Sequence, residues 1–341
     1  MPDKKEKIKL AIARGATCSG CDIALLDLDE SILDLVAVAD IVYAPTIVDA
    51  KDEDVERMKD GEITVCLYHG AVRDSDNEHL AKLMRQKSQI LIAYGSCACF
   101  GGIPGLANLT NRAAILKTVY SETASTDNPQ NTCPSPQCKD AQGHLLTLPE
   151  LFDEVFSLDD VVKVDYAIPA CPPTQEMNKK LLTVLADFVA GKSPLPPKGT
   201  IIASEKTLCD ECPRKKPDKI VVKHISRVYE KEFDSEKCFL EQGLICLGPA
   251  TRAGCDAQCI KANMPCRGCM GPTASVIDHG GSMLSALTSI LEVSSGEPGL
   301  SEGDIERLVN EVKDPLGTFY RFTLPKSLLR RAVKEKGGRN S

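Results

Sequence analysis

Sixteen of the 341 residues are cysteines, whose thiolates are the ligands that iron-sulfur clusters and soft metal ions prefer. A chain kept reduced in the cytosol has little use for a disulfide framework, so clustered cysteines indicate metal or redox chemistry. Cys18, Cys21, Cys97 and Cys171 each follow a short apolar run that is typical of a β-strand. Because the carboxyl ends of parallel strands meet at one edge of a sheet, these four thiolates suit a single 4Fe-4S cluster.

Eight more cysteines lie in the last 140 or so residues, a stretch otherwise poor in regular patterns. Chain order divides them into two quartets, which are Cys209, Cys212, Cys238 and Cys246, and Cys255, Cys259, Cys266 and Cys269. Two structural zinc ions are the alternative for these eight residues, because Cys-x-x-Cys pairs also occur in zinc sites. The four strand-end cysteines do not resemble a zinc ribbon, so clusters are the favoured interpretation for the whole chain.

The elements that must position the first quartet are short apolar strands alternating with helical patterns, which predicts an α/β fold with a flavodoxin-like parallel sheet. Predicted strands lie at 8–13, 40–44, 63–68, 89–94 and 162–168. Predicted helices lie at 22–38, 76–87, 110–122 and 174–190, and later at 282–293 and 304–312.

A proline-rich segment, 191–198, is predicted to be the linker between two domains, because prolines stop a helix and extend the chain. The first domain, 1–190, is the flavodoxin-like domain with the strand-end quartet. The second, 199–341, is a loop-rich iron-sulfur cluster domain with the other two quartets.

Composition excludes several classes of protein. Hydrophobic residues are 43% and charged residues 26%, which is typical of a soluble globular protein. A formal net charge of −7 provides no basic surface for nucleic acid. No apolar run reaches the roughly 18 residues of a membrane span. Because the first residues contain neither an apolar signal region nor a twin-arginine pair, the expected location is the cytoplasm.

Three motifs carry a resemblance to a known family. The segments Cys18-Ser-Gly-Cys21, Gly95-Ser-Cys97 and Cys171-Pro-Pro173 are similar to the proximal-cluster signature of nickel-iron hydrogenase small subunits. Similarity continues through Pro265-Cys-Arg-Gly-Cys269 and covers roughly residues 8 to 272. In detail the sequence resembles most the cytoplasmic methyl-viologen-reducing branch that accompanies heterodisulfide reductase.

The resemblance implies a role for each quartet. The strand-end quartet matches the proximal cluster that faces the large subunit, the quartet from Cys255 to Cys269 matches the medial cluster, and that from Cys209 to Cys246 matches the distal one. Three 4Fe-4S clusters are therefore expected, with no nickel in this chain. Periplasmic relatives have a histidine at the distal cluster where this chain has Cys209, and a proline where it has Cys259. The two cysteines therefore predict an all-cysteine, low-potential relay.

The implied partners are a large subunit with the nickel-iron centre and an electron-accepting iron-sulfur or flavin subunit, such as one of a heterodisulfide reductase complex. The resemblance implies a hydrogenase subunit that is inactive without the large subunit. Tandem cysteines typical of the related complex I subunit are absent.

Two other functions use the same residues. A stand-alone multi-cluster electron carrier would need no large subunit, and a zinc-stapled interaction module would need no iron. Four cysteines, Cys66, Cys99, Cys133 and Cys138, remain outside the quartets. His69 is predicted to end the third strand beside the proximal quartet, as a hydrogen-bonded residue of the crevice or a proton carrier.

Overall fold

A computed structural model of the chain describes residues 7–222, 224–291, 306–307 and 310–330. Its strands are β1 (Ile8–Arg14), β2 (Ala39–Tyr43), β3 (Ile63–His69), β4 (Val72–Asp74), β5 (Ser88–Tyr94), β6 (Gln137–Lys139), β7 (Leu145–Thr147), β8 (Leu151–Phe156) and β9 (Tyr166–Ile168). Five of them form one parallel sheet in the order β2-β1-β3-β5-β9. This is the strand order of flavodoxin, so the predicted fold is confirmed.

The sheet has helices on both of its faces, and further helices lie in the C-terminal half. They are α1 (Gly20–Leu26), α2 (Ile32–Val38), α3 (Asp52–Glu56), α4 (Ser75–Lys87), α5 (Ser96–Phe100), α6 (Arg112–Lys117), α7 (Gln175–Val189), α8 (Leu208–Glu211), α9 (Gln258–Lys261), α10 (His279–Ile290) and α11 (Pro315–Phe319). Helices α1, α2 and α7 pack their leucines on one face, and α4 and α5 cover the other. No helix in these ranges is long and apolar enough to cross a membrane.

Two predicted elements differ from the structure in the N-terminal half. The helix predicted at 22–38 is two helices joined by a turn, because Asp29 adopts a left-handed conformation with φ of 51°. The strand predicted at 162–168 is limited to Tyr166–Ile168, because its pairing with β5 begins only at Tyr166, opposite Ile92. In the C-terminal half, the helix predicted at 282–293 is α10. Of the one predicted at 304–312, four of nine positions lie outside the described residues, and 306–307 and 310–311 are helical.

The predicted linker lies along strand β9. The hydroxyl of Tyr166 donates to the carbonyl oxygen of Pro196 over 2.8 Å, and Lys198 forms a 2.7 Å ion pair with the buried carboxylate of Asp165. The boundary at 191–198 remains a prediction.

Beyond residue 198, the described chain is loop-rich and contributes to a separate hydrophobic core. That core contains Phe239, Leu247, Met283 and Phe319, and several of the predicted cysteine ligands line it. Helices here are short apart from α10, so loops position most of these cysteines.

An exposed arm, residues 118–150, connects α6 to β8. Nearly every residue of this arm is exposed, including Leu145, Leu146 and Leu148 at 50–59%. It contains the two-stranded antiparallel hairpin β6–β7. The sequence patterns did not predict this hairpin, because its strands are only three residues long.

We expect Leu91→Ala to lower the free energy of unfolding by about 2–5 kcal/mol, because Leu91 is fully buried in β5 and its removal leaves a cavity. The control Leu33→Ala removes the same side chain where it is 65% exposed, and should change stability by less than about 0.5 kcal/mol. Anaerobic urea titrations followed by circular dichroism would measure both. Equal losses would contradict the placement of β5 in the core.

Candidate iron-sulfur centres

The first predicted quartet lies together at the carboxyl edge of the sheet. Cys18 and Cys21 belong to the turn and helix after β1, Cys97 to helix α5, and Cys171 to the loop after β9. Burial raises the pKa of Cys21, and the charges of the other three thiolates raise it further. The pKa of Cys97 rises to about 12 through burial and then through repulsion from Cys171. Thiols that oppose one another's ionisation in this way require a cation to become thiolates together.

Glycines leave room for two of these sulfur atoms. A Cβ atom on Gly95 would lie 2.5 Å from the Cys21 sulfur, and one on Gly102 would lie 2.5 Å from the Cys97 sulfur. Both glycines have positive φ angles, 84° and 55°, which side chains with a Cβ rarely adopt. The backbone thus approaches the sulfur atoms as closely as glycine permits.

One side of this quartet faces away from the chain. Cys18 and Cys171 are exposed. Apolar side chains next to the quartet in sequence are also exposed, with Ile23 at 52% and Ile103 at 45%. A charged centre beside an exposed apolar surface is typical of a subunit interface.

His69 ends β3 and is completely buried behind the same quartet. Its Nε2 atom lies 2.9 Å from a carboxylate oxygen of Asp22, and its Nδ1 atom lies 3.3 Å from the hydroxyl of Thr17. Burial alone would raise the pKa of Asp22, but hydrogen bonds from His69 and Thr46 lower it overall. The imidazole therefore connects the loop before Cys18 to the helix after Cys21, which agrees with a hydrogen-bonded residue of the crevice.

The quartet from Cys209 to Cys246 is also brought together. Burial raises the pKa of Cys209 to about 12, and the thiolates of Cys246, Cys238 and Cys212 contribute to that rise. A Cβ atom on Gly248 would meet the sulfurs of Cys209 and Cys246 at 3.3 and 3.5 Å. Lys216 opposes the rise, since its ammonium group donates to the carbonyl oxygen of Cys209.

The third quartet lies between the other two. Burial raises the pKa of Cys269 to about 12, and Cys255, Cys171 and Cys259 raise it further. Cys266 is repelled by both Cys269 and Cys246. One member of this quartet is therefore close to Cys171 of the first quartet, and another is close to Cys246 of the second.

Hydrogen bonds connect the three groups. The backbone amide of Cys171 donates to the sulfur of Cys269, and the amide of Cys266 donates to the sulfur of Cys246 over 3.4 Å. The hydroxyl of Ser96, beside Cys97, donates to the carbonyl oxygen of Cys269 over 2.5 Å. Each group of thiols is thus attached to the next by the backbone of a neighbouring cysteine.

The donors present fit iron-sulfur clusters. All sixteen cysteines are free thiols, and the twelve predicted ligands include no nitrogen or carboxylate donor. Backbone amides donate to the sulfurs, as the amide of Gly268 does to Cys266 over 3.4 Å. Such hydrogen bonds stabilise the anionic thiolates that clusters need. Within the described residues, no three histidine, cysteine or acidic side chains meet closely enough to hold one metal ion.

Comparison with known proteins identifies the family. A family model described as "NADH ubiquinone oxidoreductase, 20 Kd subunit" matches residues 18–185. The iron-sulfur subunit of the F420-non-reducing hydrogenase of Archaeoglobus profundus is 39% identical, over 96% of this chain and 99% of that protein. A vhu subunit of the F420-non-reducing hydrogenase of Methanococcus voltae is 38% identical, over 95% and 98% of the two chains. The chain belongs to the nickel-iron hydrogenase small-subunit family.

Among solved structures, a chain of an NAD+-reducing nickel-iron hydrogenase in its H2-reduced state is similar to this hydrogenase subunit. The match has 30% identity and a TM-score of 0.46, and covers 56% of this chain and 96% of that one.

The cysteines outside the quartets occupy different environments in this hydrogenase subunit. Cys66 is fully buried inside β3, as expected for a small hydrophobic residue. Cys99 is also buried, and its thiol donates to the carbonyl oxygen of Ala93 over 3.4 Å. Cys133 and Cys138 are both exposed on the arm.

Sequence reasoning missed a buried arginine of this hydrogenase subunit. Arg214 stacks on the ring of Phe239, 3.6 Å from its centroid, and donates to the carbonyl oxygen of Lys237 over 2.6 Å. It also donates to Asn263, which lies between Cys259 and Cys266 in the sequence. The signal in the sequence that could have indicated this arginine is its position two residues after Cys212. Among the arginines near cysteine motifs, Arg267 interacts electrostatically with Cys246 and Cys266.

We expect Gly95→Ala to lower the iron content by about four atoms per chain, the content of one 4Fe-4S cluster. The added Cβ would lie 2.5 Å from the Cys21 sulfur and displace this ligand. The matched control is Gly143→Ala, since Gly143 also has a positive φ, 88°, but nothing lies within 4 Å of its Cβ position. Iron analysis after anaerobic purification measures both variants. Unchanged iron in Gly95→Ala would argue against Cys21 as a ligand.

Proposed function

We propose that this chain is the electron-relaying small subunit of a hydrogenase and that its twelve quartet cysteines hold three 4Fe-4S clusters. The proximal cluster is assigned to Cys18, Cys21, Cys97 and Cys171, the medial cluster to Cys255, Cys259, Cys266 and Cys269, and the distal cluster to Cys209, Cys212, Cys238 and Cys246. Such clusters accept and pass on single electrons at potentials that the surrounding protein adjusts.

The order of the quartets is the observation that carries the proposal. The amide of Cys171 donates to the medial Cys269, and the amide of the medial Cys266 donates to the distal Cys246. Three redox centres on this scaffold would form a row from an exposed end at Cys18 to the C-terminal domain. A row of this kind suits stepwise electron transfer, which a single isolated centre could not perform.

The protein's own residues hold the clusters, exclude water and compensate their charge. Burial of Cys21, Cys246 and Cys266 keeps solvent from three of the thiolates. The cationic side chains of Lys216 and Arg267 lie near cysteines of the distal and medial quartets, and a nearby cation favours the reduced, more negative state. Ligation by cysteine alone acts in the opposite direction and keeps the potentials low.

The exposed end of the row supports a large-subunit partner. Cys18 and Cys171 lie at the surface of this chain, with the exposed side chains of Ile23 and Ile103 nearby in sequence. Because water would reach a cluster held there, a second protein must cover it. We assign this role to a large subunit with the nickel-iron centre. An iron-sulfur or flavin subunit in the cytoplasm would accept the electrons, as in a heterodisulfide reductase complex.

The alternatives use the same cysteines differently. A stand-alone carrier would leave the proximal end uncovered, which its exposed apolar rim disfavours. A zinc module would hold four sulfurs around one ion, each about 2.3 Å from the metal. Neighbouring thiolates of the described residues repel one another, but no three of them lie close enough to hold a single ion. This wider spacing suits the larger inorganic core of a cluster.

The metal content of the native complex tests the proposal. Anaerobic purification from the native host should give about twelve irons and a similar amount of sulfide for each copy of this chain, because three clusters contain four irons each. Nickel should accompany a second subunit. Twelve irons without nickel would favour the stand-alone carrier, and zinc in place of iron would exclude electron transfer.

Alanine variants test the three quartets separately. Cys97→Ala, Cys238→Ala and Cys259→Ala should each remove or degrade one cluster, with a loss of up to about four irons and of one electron paramagnetic resonance signal. Cys133→Ala is the matched control, because Cys133 is exposed on the arm and should leave the iron content unchanged. A quartet variant with full iron and all signals would contradict the assignment of that cysteine.

A further inference from the structure

A pocket of about 220 Å³ opens in the C-terminal domain beside the distal and medial quartets. It is lined by the segment Ile225–Tyr229, by Leu244 and Ile245, and by residues from both sides of α11. Three arginines face this pocket, namely Arg227, Arg267 and Arg321. It is separate from the cysteines themselves, and the proposed relay does not use it.

The guanidinium groups of these three arginines have no carboxylate partners among the residues that the structure describes. The nearest acid in sequence to Arg227, Glu230, accepts instead from the backbone amide of Arg227 over 2.9 Å. Within the described residues, the terminal nitrogens of Arg321 remain available, since its hydrogen bond runs from Nε to the carbonyl oxygen of Gly317 over 3.0 Å. The pocket's acids are already engaged. Glu311 accepts from the amide of Ile225 over 2.7 Å and from Arg307 over 2.9 Å.

The other charged groups of the pocket do not balance the arginines. Asp314 accepts from the amide of Gly317 over 2.9 Å and so caps helix α11. Lys313 adds a further cation to the lining. Guanidinium groups without a counter-ion are costly when they are partly buried and close together.

The three guanidinium groups are close enough to affect one another. All three line the same pocket, and Arg267 interacts electrostatically with both Arg321 and Arg227. Arg267 also follows Cys266 directly in the chain and interacts with the thiolate of Cys246. Arg267 thus lies between the pocket on one side and the distal and medial quartets on the other.

We propose that this pocket binds an oxyanion, a phosphate or a carboxylate group, between Arg227, Arg267 and Arg321. Arginine is the side chain best suited to such groups, because its planar fork donates two parallel hydrogen bonds to two oxygens. The volume admits one such group with a small substituent, which could belong to a free anion or to an acidic residue of a bound subunit.

Anion binding in this pocket is coupled to the redox state of the clusters, a consequence that rests on the proposed function. An added electron increases the negative charge beside Arg267 and repels the bound anion. By linkage, the two effects are equal in free energy. If reduction weakens anion binding, the bound anion makes reduction less favourable by the same amount and so lowers the reduction potential. A tenfold difference in affinity between the oxidised and reduced states corresponds to 59 mV for a one-electron couple.

The test measures binding of inorganic phosphate to the oxidised, intact complex by anaerobic titration calorimetry at constant ionic strength. We expect saturable binding that becomes at least tenfold weaker in Arg321→Gln. The second variant, Arg227→Gln, replaces an exposed residue, so a similar loss there excludes misfolding as the cause. The matched control is Arg57→Gln, which removes an exposed arginine of the first domain that pairs with Asp54.

The result also distinguishes the two sources of the anion. Phosphate binding to the intact complex identifies a free anion. Binding that appears only after the acceptor subunit is removed, together with weaker retention of that subunit in Arg321→Gln, identifies a carboxylate of the partner. The proposal would be overturned if saturable binding were absent both from the intact complex and from the complex without the acceptor subunit. Equal binding by Arg321→Gln and Arg57→Gln would also overturn it. Iron and nickel contents of the same samples would show whether the proposed function stands independently.

Discussion

Electrostatic repulsion among thiolates is the constraint on which the rest of this structure depends. Buried cysteines in one small volume cannot ionise together in an apolar environment, since each charge opposes the next. Iron compensates that charge in a cluster, and the protein supplies amides and cations around it. The glycines at 95 and 102, the turn around Cys18 and the loops around Cys246 are all arranged to bring sulfur and backbone close together. Much of the C-terminal half of the chain follows from this requirement, because its loops have little other regular structure to position them.

The sheet and the first quartet could be predicted from sequence because they depend on short-range patterns. Five apolar runs that alternate with helical periodicity indicated a parallel sheet, and the observed strand order agrees. Cys97 and Cys171 follow such runs directly, so the rule that ligands gather at the carboxyl ends of strands placed them at one edge. The second and third quartets were grouped by chain order and resemblance. Their juxtaposition depends on contacts such as that between Cys266 and Cys246, twenty residues apart within loops.

Other features depend on tertiary contacts that no local pattern reports. The left-handed Asp29 divides a stretch with continuous helical periodicity, and nothing in that periodicity indicates the break. His69 was assigned to the correct edge, but its two hydrogen bonds to Thr17 and Asp22 span about fifty residues of sequence. The convergence of Arg227, Arg267 and Arg321 could not be read from a sequence in which they lie forty or more residues apart.

The exposed arm has a consequence for how the chain behaves when it is made alone. Successive residues of a strand point to opposite faces, so Leu145 and Leu146 present apolar side chains on both faces of the hairpin β6–β7. Each outer edge of this hairpin also leaves backbone groups open to pairing with another chain. These are the properties of an aggregation-prone segment. Production without the other subunits should therefore favour insoluble self-association, and co-expression with a partner that covers the arm should restore solubility.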